Sequence, residues 1–218
     1  MTIQILPLLK PTDCHIYLVR HGQTDWNKNE KMMGSSDIPL NETGQKQVLK
    51  VKEKFNALAF AAAFSSDKMR THKTAELILG ANNIPIIETA ALRECSFGAW
   101  EGRPTSEFKT WARMQPQRDT TSQADCLAHK LTNDTESLGE RFTRVATFMQ
   151  SVALQYRGAT VLCCTHAGVL RAILCALNFR PGFSWYVANG AFIYLRVAED
   201  GKFTLIQQDG CLLMHESF

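Results

Sequence analysis

The chain has 218 residues, 45 % of them hydrophobic and 21 % charged, with a formal net charge of +3. That length predicts one domain, or one domain with a sizeable insertion, and the composition predicts a folded core. The small charge argues against a nucleic-acid partner. No apolar run approaches the roughly 18 residues of a membrane span, and the N-terminus, cut by Pro7, lacks the basic start of a signal peptide.

Seven cysteines (Cys14, Cys95, Cys126, Cys163, Cys164, Cys175 and Cys211) form an odd, scattered set with no Cys-x-x-Cys pair. This pattern argues against a zinc knuckle and a disulfide framework, and for a reducing, cytoplasmic home. Cys163, Cys164 and Cys175 sit in apolar segments and read as small core residues.

In chain order, residues 15–19 form an apolar run that predicts a short buried strand ending in Arg20-His21-Gly22. In α/β sheets ligands bind at the carboxyl edge, where this strand delivers a cation and an imidazole. A turn with incidental polar residues explains those three residues alone equally well. After Gly34 and a run of turn residues, Asn41 or Thr43 is the expected N-cap of an amphipathic helix carrying Val48, Val51, Phe55 and Leu58.

Residues 60–64 predict a second strand, followed by a polar turn and a helix over 71–79 with Arg70 at its start. A helix N-terminus beside an arginine favours an anion, although a plain surface arginine explains Arg70 as well. Residues 85–87 predict a third strand, leading to a loop from Leu92 to Gly102 rich in carboxylates, glycines and aromatics. Glu94, near Phe97 and Trp100, is expected to have its pKa raised by partial burial, as a general acid needs; a solvated loop glutamate is the alternative.

Residues 103–135 read as an insertion over one face, a place for a lid or for substrate selection. Phe108 and Trp111 suggest a helix there, and Pro116 interrupts it; Arg113 and Arg118 are either contacts for an acidic substrate or solvated charge. The pattern Ser137-x-x-Glu140 is a capping box opening a long helix. Residues 159–164 predict a central strand delivering Thr165-His166-Ala167-Gly168 to an apolar helix over 169–177. Residues 191–198 and 203–207 predict two strands joined by Asp200-Gly201, a hairpin turn signal.

Three strand-to-helix junctions therefore carry Arg20-His21, Arg70 and His166, and a glycine-rich loop carries Glu94. Gathered at one sheet edge, two guanidinium groups suit a tetrahedral dianion, whose oxygens match the planar fork. A neutral imidazole is a competent nucleophile near pH 7, and the carboxylate can protonate a leaving oxygen.

The ordered motifs Arg20-His21-Gly22-x-Thr24-x-x-Asn27, Leu40-x-x-x-Gly44, Ser66-x-x-x-Arg70, Leu92-x-Glu94-x-x-Phe97-Gly98-x-Trp100-Glu101-Gly102 and His166-x-Gly168 resemble the histidine phosphatase superfamily. The likeness runs from residue 15 to about 210. It implies a single domain over 1–218 with a three-layer α/β/α sandwich around a mixed, mostly parallel central sheet. It implies that His21 is the nucleophile that becomes phosphohistidine, and that Arg20, Arg70 and His166 bind the phosphoryl oxygens. Asn27 would add a hydrogen bond, with Gly22, Gln23, Thr24, Phe97, Ala167 and Gly168 completing the substrate-binding set. Glu94 would protonate the leaving alcohol and then activate water.

The implied partner is a small-molecule phosphate ester, with no metal. The cofactor 2,3-bisphosphoglycerate is implied only if the chain is a phosphoglycerate mutase. Mutases of the family place an arginine after the catalytic glutamate and a paired arginine in the insertion. Here Cys95 follows Glu94, and residues 103–135 hold no Arg-Arg pair. The run Phe97–Gly102 resembles the phosphatase branch instead, so the expectation is a phosphomonoesterase. Two further readings are a non-catalytic phospho-ligand binding protein on the same fold and a cysteine phosphatase using Cys164 with Arg171. The latter spacing is one residue too long for that family's loop.

Overall fold

The computed structural model describes residues 10–115, 122–130, 135–178, 180 and 183–215. Arg118 lies outside them. The elements run β1 (Cys14–Arg20), α1 (Asp25–Lys28), α2 (Glu42–Lys54), β2 (Phe60–Ser65), α3 (Met69–Leu79), β3 (Ile86–Glu88), α4 (Thr105–Met114) and α5 (Gln123–Ala128). Then follow α6 (Leu138–Gln155), β4 (Thr160–Thr165), α7 (Ala167–Leu177), β5 (Phe183–Val197) and β6 (Phe203–His215).

The six strands form one sheet in the order β3-β2-β4-β1-β5-β6. β3, β2, β4 and β1 run parallel, β5 is antiparallel to β1, and β6 is antiparallel to β5. The expected three-layer arrangement follows from strand periodicity, since alternate side chains point to opposite faces. In β1, Cys14, Ile16 and Leu18 pack with Val145, Met149, Leu170 and Ile173 of α6 and α7. Val19 of the same strand joins Val48 and Val51 of α2 and Ala75 and Ile78 of α3 on the other face. β4 divides in the same way, Val161 and Cys163 to one layer and Leu162 and Cys164 to the other. Truncating a fully buried residue such as Leu18 to alanine in such a core costs roughly 2–5 kcal/mol.

Local signals set the helix starts. Of the two candidate caps, Asn41 is the one used, its side-chain oxygen accepting from Gly44 N at 2.9 Å. The Ser137/Glu140 capping box closes with bonds of 2.9 and 3.1 Å. The helices over 71–79 and 169–177 start two residues earlier than expected, at Met69 and Ala167, and neither has a side-chain cap.

The last hairpin differs more from expectation. Its strands reach back to Phe183 and on to His215, because a register shift between Val187 and Phe192 absorbs Asn189-Gly190 into β5. Asn-Gly has the chemistry of a turn, but here Gly190 takes a φ of +74° inside a strand. The insertion holds α5 besides the expected helix α4. α5 rests on α7 through Gln123 Nε2, which donates to the Cys175 carbonyl at 2.9 Å.

One carboxylate holds the loops beneath the carboxyl edge of the sheet. Glu101 accepts hydrogen bonds from Ser35 N at 2.9 Å, Ser36 N at 2.8 Å and Phe97 N at 3.0 Å, with both serine hydroxyls adding to them. Those bonds outweigh the cost of burial and pull its pKa from 4.5 down to about 2. The strut thus contributes its stability above pH 4.5 and loses it as pH falls from 4.5 towards 2, where the folded chain also takes up the proton. Glu101→Gln is expected to destabilise the fold by about 1–3 kcal/mol near neutral pH. In urea titrations across acid pH its gap from the parent should shrink below pH 4.5; a gap independent of pH contradicts the strut.

Candidate active site

β1 and β4 end side by side, Arg20 opposite Thr165, and His21 N donates to the Thr165 carbonyl at 3.0 Å. β2 ends beside β4, where Ser66 N donates to the Cys164 carbonyl at 3.1 Å. Three strand ends thus place His21, the start of α3 and His166 at one edge.

His21 is 4 % exposed, and its Nδ1 lies 2.7 Å from the Gly22 carbonyl oxygen. A carbonyl only accepts, so Nδ1 carries the proton and Nε2 the lone pair. The His21 carbonyl is held in turn by Asn189 Nδ2 at 3.2 Å and Gly190 N at 3.3 Å. The His166 ring centroid lies 5.3 Å from that of His21, and His166 Nε2 is 2.8 Å from the Ser66 hydroxyl. Arg20 donates from Nη1 to the Val187 carbonyl at 2.6 Å. Arg70, 1 % exposed at the start of α3, donates to the carbonyls of Ser36 at 2.7 Å and Gly34 at 2.8 Å.

These contacts fix the groups without satisfying them. Arg20 Nε, Arg70 Nε and His166 Nδ1 are buried and make no hydrogen bond. Such orphaned atoms are rare, since each costs about 1–3 kcal/mol. Burial first, then the neighbouring Arg20, His166 and Arg70, which disfavour a second proton beside them, hold the His21 pKa well below 6.5. Burial, Arg70 and Arg20 do the same to His166. Burial and Arg171 bring Arg20 down to about 10, which leaves it cationic at neutral pH. The result is a neutral imidazole lone pair among cations, a setting that attracts an anion and keeps its nucleophile unprotonated.

Glu94 joins this edge from the loop after the turn Ala90–Leu92. Its Oε2 accepts from Gly168 N at 2.8 Å and its Oε1 from Cys95 N at 3.0 Å, with Arg141 Nη1 at 3.4 Å. Its pKa is lowered, which corrects the expectation from sequence. Burial pushes it up, but Arg141 and the two backbone N–H groups together outweigh burial. The approach is close enough to require glycine at 168, where a Cβ would stand 2.2 Å from Glu94 Oε1.

The remaining expected residues divide by role. Thr24 is fully buried as the N-cap of α1, with Asn27 completing a capping box. Its hydroxyl thus serves the helix start rather than the pocket. Asn27 Oδ1 accepts from Thr24 N at 3.2 Å and Asn189 Nδ2 at 3.1 Å, which leaves the Asn27 amide nitrogen to donate. Gln23 N donates to Gln47 Oε1 at 2.9 Å, tying the loop to α2. Gly22 lies against Gly44, whose carbonyl oxygen would be 2.3 Å from an added Cβ. Ala167 begins α7, and Phe97 packs on Phe108 with ring centroids 5.5 Å apart. Arg113 sits in the last turn of α4.

Beyond Cys95 and Arg141 opens a cavity of about 570 Å³, walled by α4 and by residues 184–186 of β5. Sequence reasoning missed Asn189 and Arg141, and named Arg171 only in the cysteine-phosphatase reading. The last was legible as the single charge in the apolar run 169–177. The cysteine-phosphatase reading fails: Cys164 is wholly buried in β4, and burial pushes its thiol well above 9.0, away from the reactive thiolate. Among the described residues, no group of three or more His, Cys, Asp or Glu side chains could hold a metal ion. No helix there is long and apolar enough to cross a membrane.

The described geometry can be set beside known proteins. The model of the histidine phosphatase superfamily (branch 1) matches residues 16–208. A relative named "Probable phosphoglycerate mutase GpmB" from Citrobacter koseri is 31 % identical over 173 residues, 78 % of this chain and 77 % of that one. Bacillus stearothermophilus YhfR is 27 % identical with a TM-score of 0.74, covering 88 % of this chain and 95 % of its own. The fold is also that of a phosphoserine phosphatase from Entamoeba histolytica, solved in complex with 3-phosphoglyceric acid. It has a TM-score of 0.73 at 22 % identity and covers 90 % of this chain and 96 % of that one. Superfamily members are phosphatases or mutases, and this chain belongs to the histidine phosphatase superfamily.

Proposed function

We propose that the protein is a metal-independent phosphomonoester hydrolase acting on a small phosphorylated metabolite through a phosphohistidine at His21. The observation that carries this reading is the neutral His21 imidazole beside three buried, unpartnered nitrogens, the Nε–H groups of Arg20 and Arg70 and Nδ1 of His166. A phosphoryl group supplies the oxygens those atoms lack, and its charge offsets the buried guanidiniums.

In the first step His21 Nε2 forms a bond to phosphorus while the bond to the ester oxygen breaks, and the departing alkoxide takes a proton from Glu94. In the second, Glu94 removes a proton from water, whose oxygen attacks phosphorus as the P–N bond breaks. Inorganic phosphate leaves and His21 regains its lone pair. Glu94 is ionised in the free protein, so its proton must arrive with the substrate. An ester's second phosphate pKa is about 6, and the monoanion below it carries the proton needed. The bound anion then raises the carboxylate's affinity for that proton.

Cys95 after Glu94, and the absence of an Arg-Arg pair in residues 103–135, support hydrolysis over return of the phosphoryl group to a bound acid. The name of the Citrobacter relative favours a mutase as the second reading, in which 2,3-bisphosphoglycerate is the cofactor. Seven cysteines, all buried, fit a reducing, cytoplasmic home.

A panel of phosphomonoesters assayed with and without 2,3-bisphosphoglycerate tests the choice. Phosphate release independent of the bisphosphate is expected; mutase turnover far above hydrolysis contradicts the reading. The pH profile tests the site. A nucleophile with the ordinary histidine pKa would lose activity as pH falls through 6.5, whereas His21 stays neutral to a lower pH. kcat/KM should therefore not fall on acidification through 6.5; it should rise as pH drops towards about 6, where the substrate gains its proton, and decline above that. A loss on acidification centred near 6.5 contradicts the electrostatic account.

A further inference from the structure

Glu94 is held more tightly than a general acid requires. Its Oε1 accepts from Cys95 N at 3.0 Å and its Oε2 from Gly168 N at 2.8 Å, so both oxygens already face N–H donors. Arg141 of α6 then brings Nη1 to 3.4 Å from Oε1, with the Arg141 side chain 7 % exposed and that of Glu94 12 %. The contact is prepared from behind. The Glu136 carboxylate accepts from Arg141 Nε at 3.2 Å and its backbone carbonyl from Nη2 at 3.3 Å, which leaves Nη1 to face Glu94.

The ion pair packs against the start of α7, where a Cβ at Gly168 would stand 2.3 Å from Arg141 Nη1 as well as 2.2 Å from Glu94 Oε1. Burial favours the neutral acid, and Arg141 is the largest of the influences that oppose it. Arg171 of α7, Arg20 of β1 and Arg70 of α3 interact with the same carboxylate. Protonation would forfeit the buried pair and turn an acceptor oxygen into a donor among donors. Such a carboxylate is a ready base and a poor acid.

We infer that Arg141 is a positioning residue that reserves Glu94 for activating water, and that the preferred substrates are phosphate esters of acidic hydroxyls, enols or phenols, whose leaving groups depart without a proton. This rests on the phosphomonoesterase reading above. As His21 Nε2 bonds to phosphorus, the electron pair of the breaking P–O bond goes to the departing oxygen. An enolate or phenolate spreads that charge and takes its proton later from water. Glu94 then enters the second step still ionised, able to take a proton from the attacking water. An ordinary alkoxide has no such outlet and needs the acid that Arg141 holds back.

The test measures phosphate release from 4-nitrophenyl, phenyl and benzyl phosphate, aromatic esters of similar size whose leaving hydroxyls fall in acidity in that order. A general acid is worth about 10²–10⁴-fold, so the parent, with Glu94 ionised, should favour 4-nitrophenyl over benzyl phosphate by at least about a hundredfold in kcat/KM. Arg141→Gln should narrow that ratio about tenfold by raising the benzyl rate, the gain from a carboxylate that holds a proton about tenfold more readily. Arg141→Lys, which keeps the charge, should hold the parent's ratio. The rise in kcat/KM towards about pH 6 should be largest for benzyl phosphate, since a poor leaving group needs the substrate's proton most. A parent ratio below about a hundredfold overturns the substrate class without any variant. Equal slowing of all three esters in Arg141→Gln, or a ratio unchanged from the parent's, overturns the role of Arg141; Arg141→Met is read in the same way if the glutamine variant does not fold. No release from any ester overturns the hydrolase reading and this inference together, whereas release without a leaving-group preference overturns this inference alone.

Discussion

Positive charge packed around a neutral imidazole is the constraint on which the rest of the structure depends. Arg20, Arg70 and His166 lie close to His21 with buried nitrogens, Nε of each arginine and Nδ1 of His166, that make no hydrogen bond. A fold bears that cost only where the surroundings fix the groups, and each is fixed through backbone carbonyls or a hydroxyl, with Asp37 standing 3.9 Å from Arg70 as well. Arg70 is held by the carbonyls of Gly34 and Ser36, and Glu101 holds that loop from beneath. Arg20 is held by Val187, and the His21 carbonyl by the Asn189-Gly190 bulge of β5. β5, the strand antiparallel to β1, thereby serves the site as well as the core.

The same field separates the roles of the two titratable partners. Burial among cations keeps His21 unprotonated, while Arg141 and two backbone N–H groups keep Glu94 ionised despite burial. A nucleophile is therefore ready in the free protein, whereas a general acid is not. On the proposed reading the carboxylate gains its proton as an anion arrives, which would couple acid catalysis to occupancy of the phosphoryl site. Environments that push two pKa values into different roles in this way are a mark of acid–base sites.

Strand-to-helix junctions made the cationic edge legible in the sequence. Arg20, His21, Arg70 and His166 each stand where an apolar run gives way to polar residues, and parallel strands bring such points together. The mixed three-layer sandwich was expected from the resemblance of the ordered motifs to the histidine phosphatase superfamily. What escaped was whatever depends on partners distant in the chain. The lowered pKa of Glu94 comes from Arg141 on α6 and from Gly168, neither of which its own loop announces. Asn189-Gly190 carries turn chemistry but sits inside a strand because it reaches the His21 carbonyl. The insertion escaped because of its mixed composition.

The central claim is that His21 Nε2 carries the phosphoryl group. Rapid acid-free quenching of the protein with a radiolabelled phosphomonoester, followed by peptide mapping, tests it directly. The account predicts one label on His21, labile to acid and stable to base, lost in His21→Ala and accumulating when Glu94→Gln slows attack by water. A label on another residue, or turnover by His21→Ala at the parent rate, would contradict it.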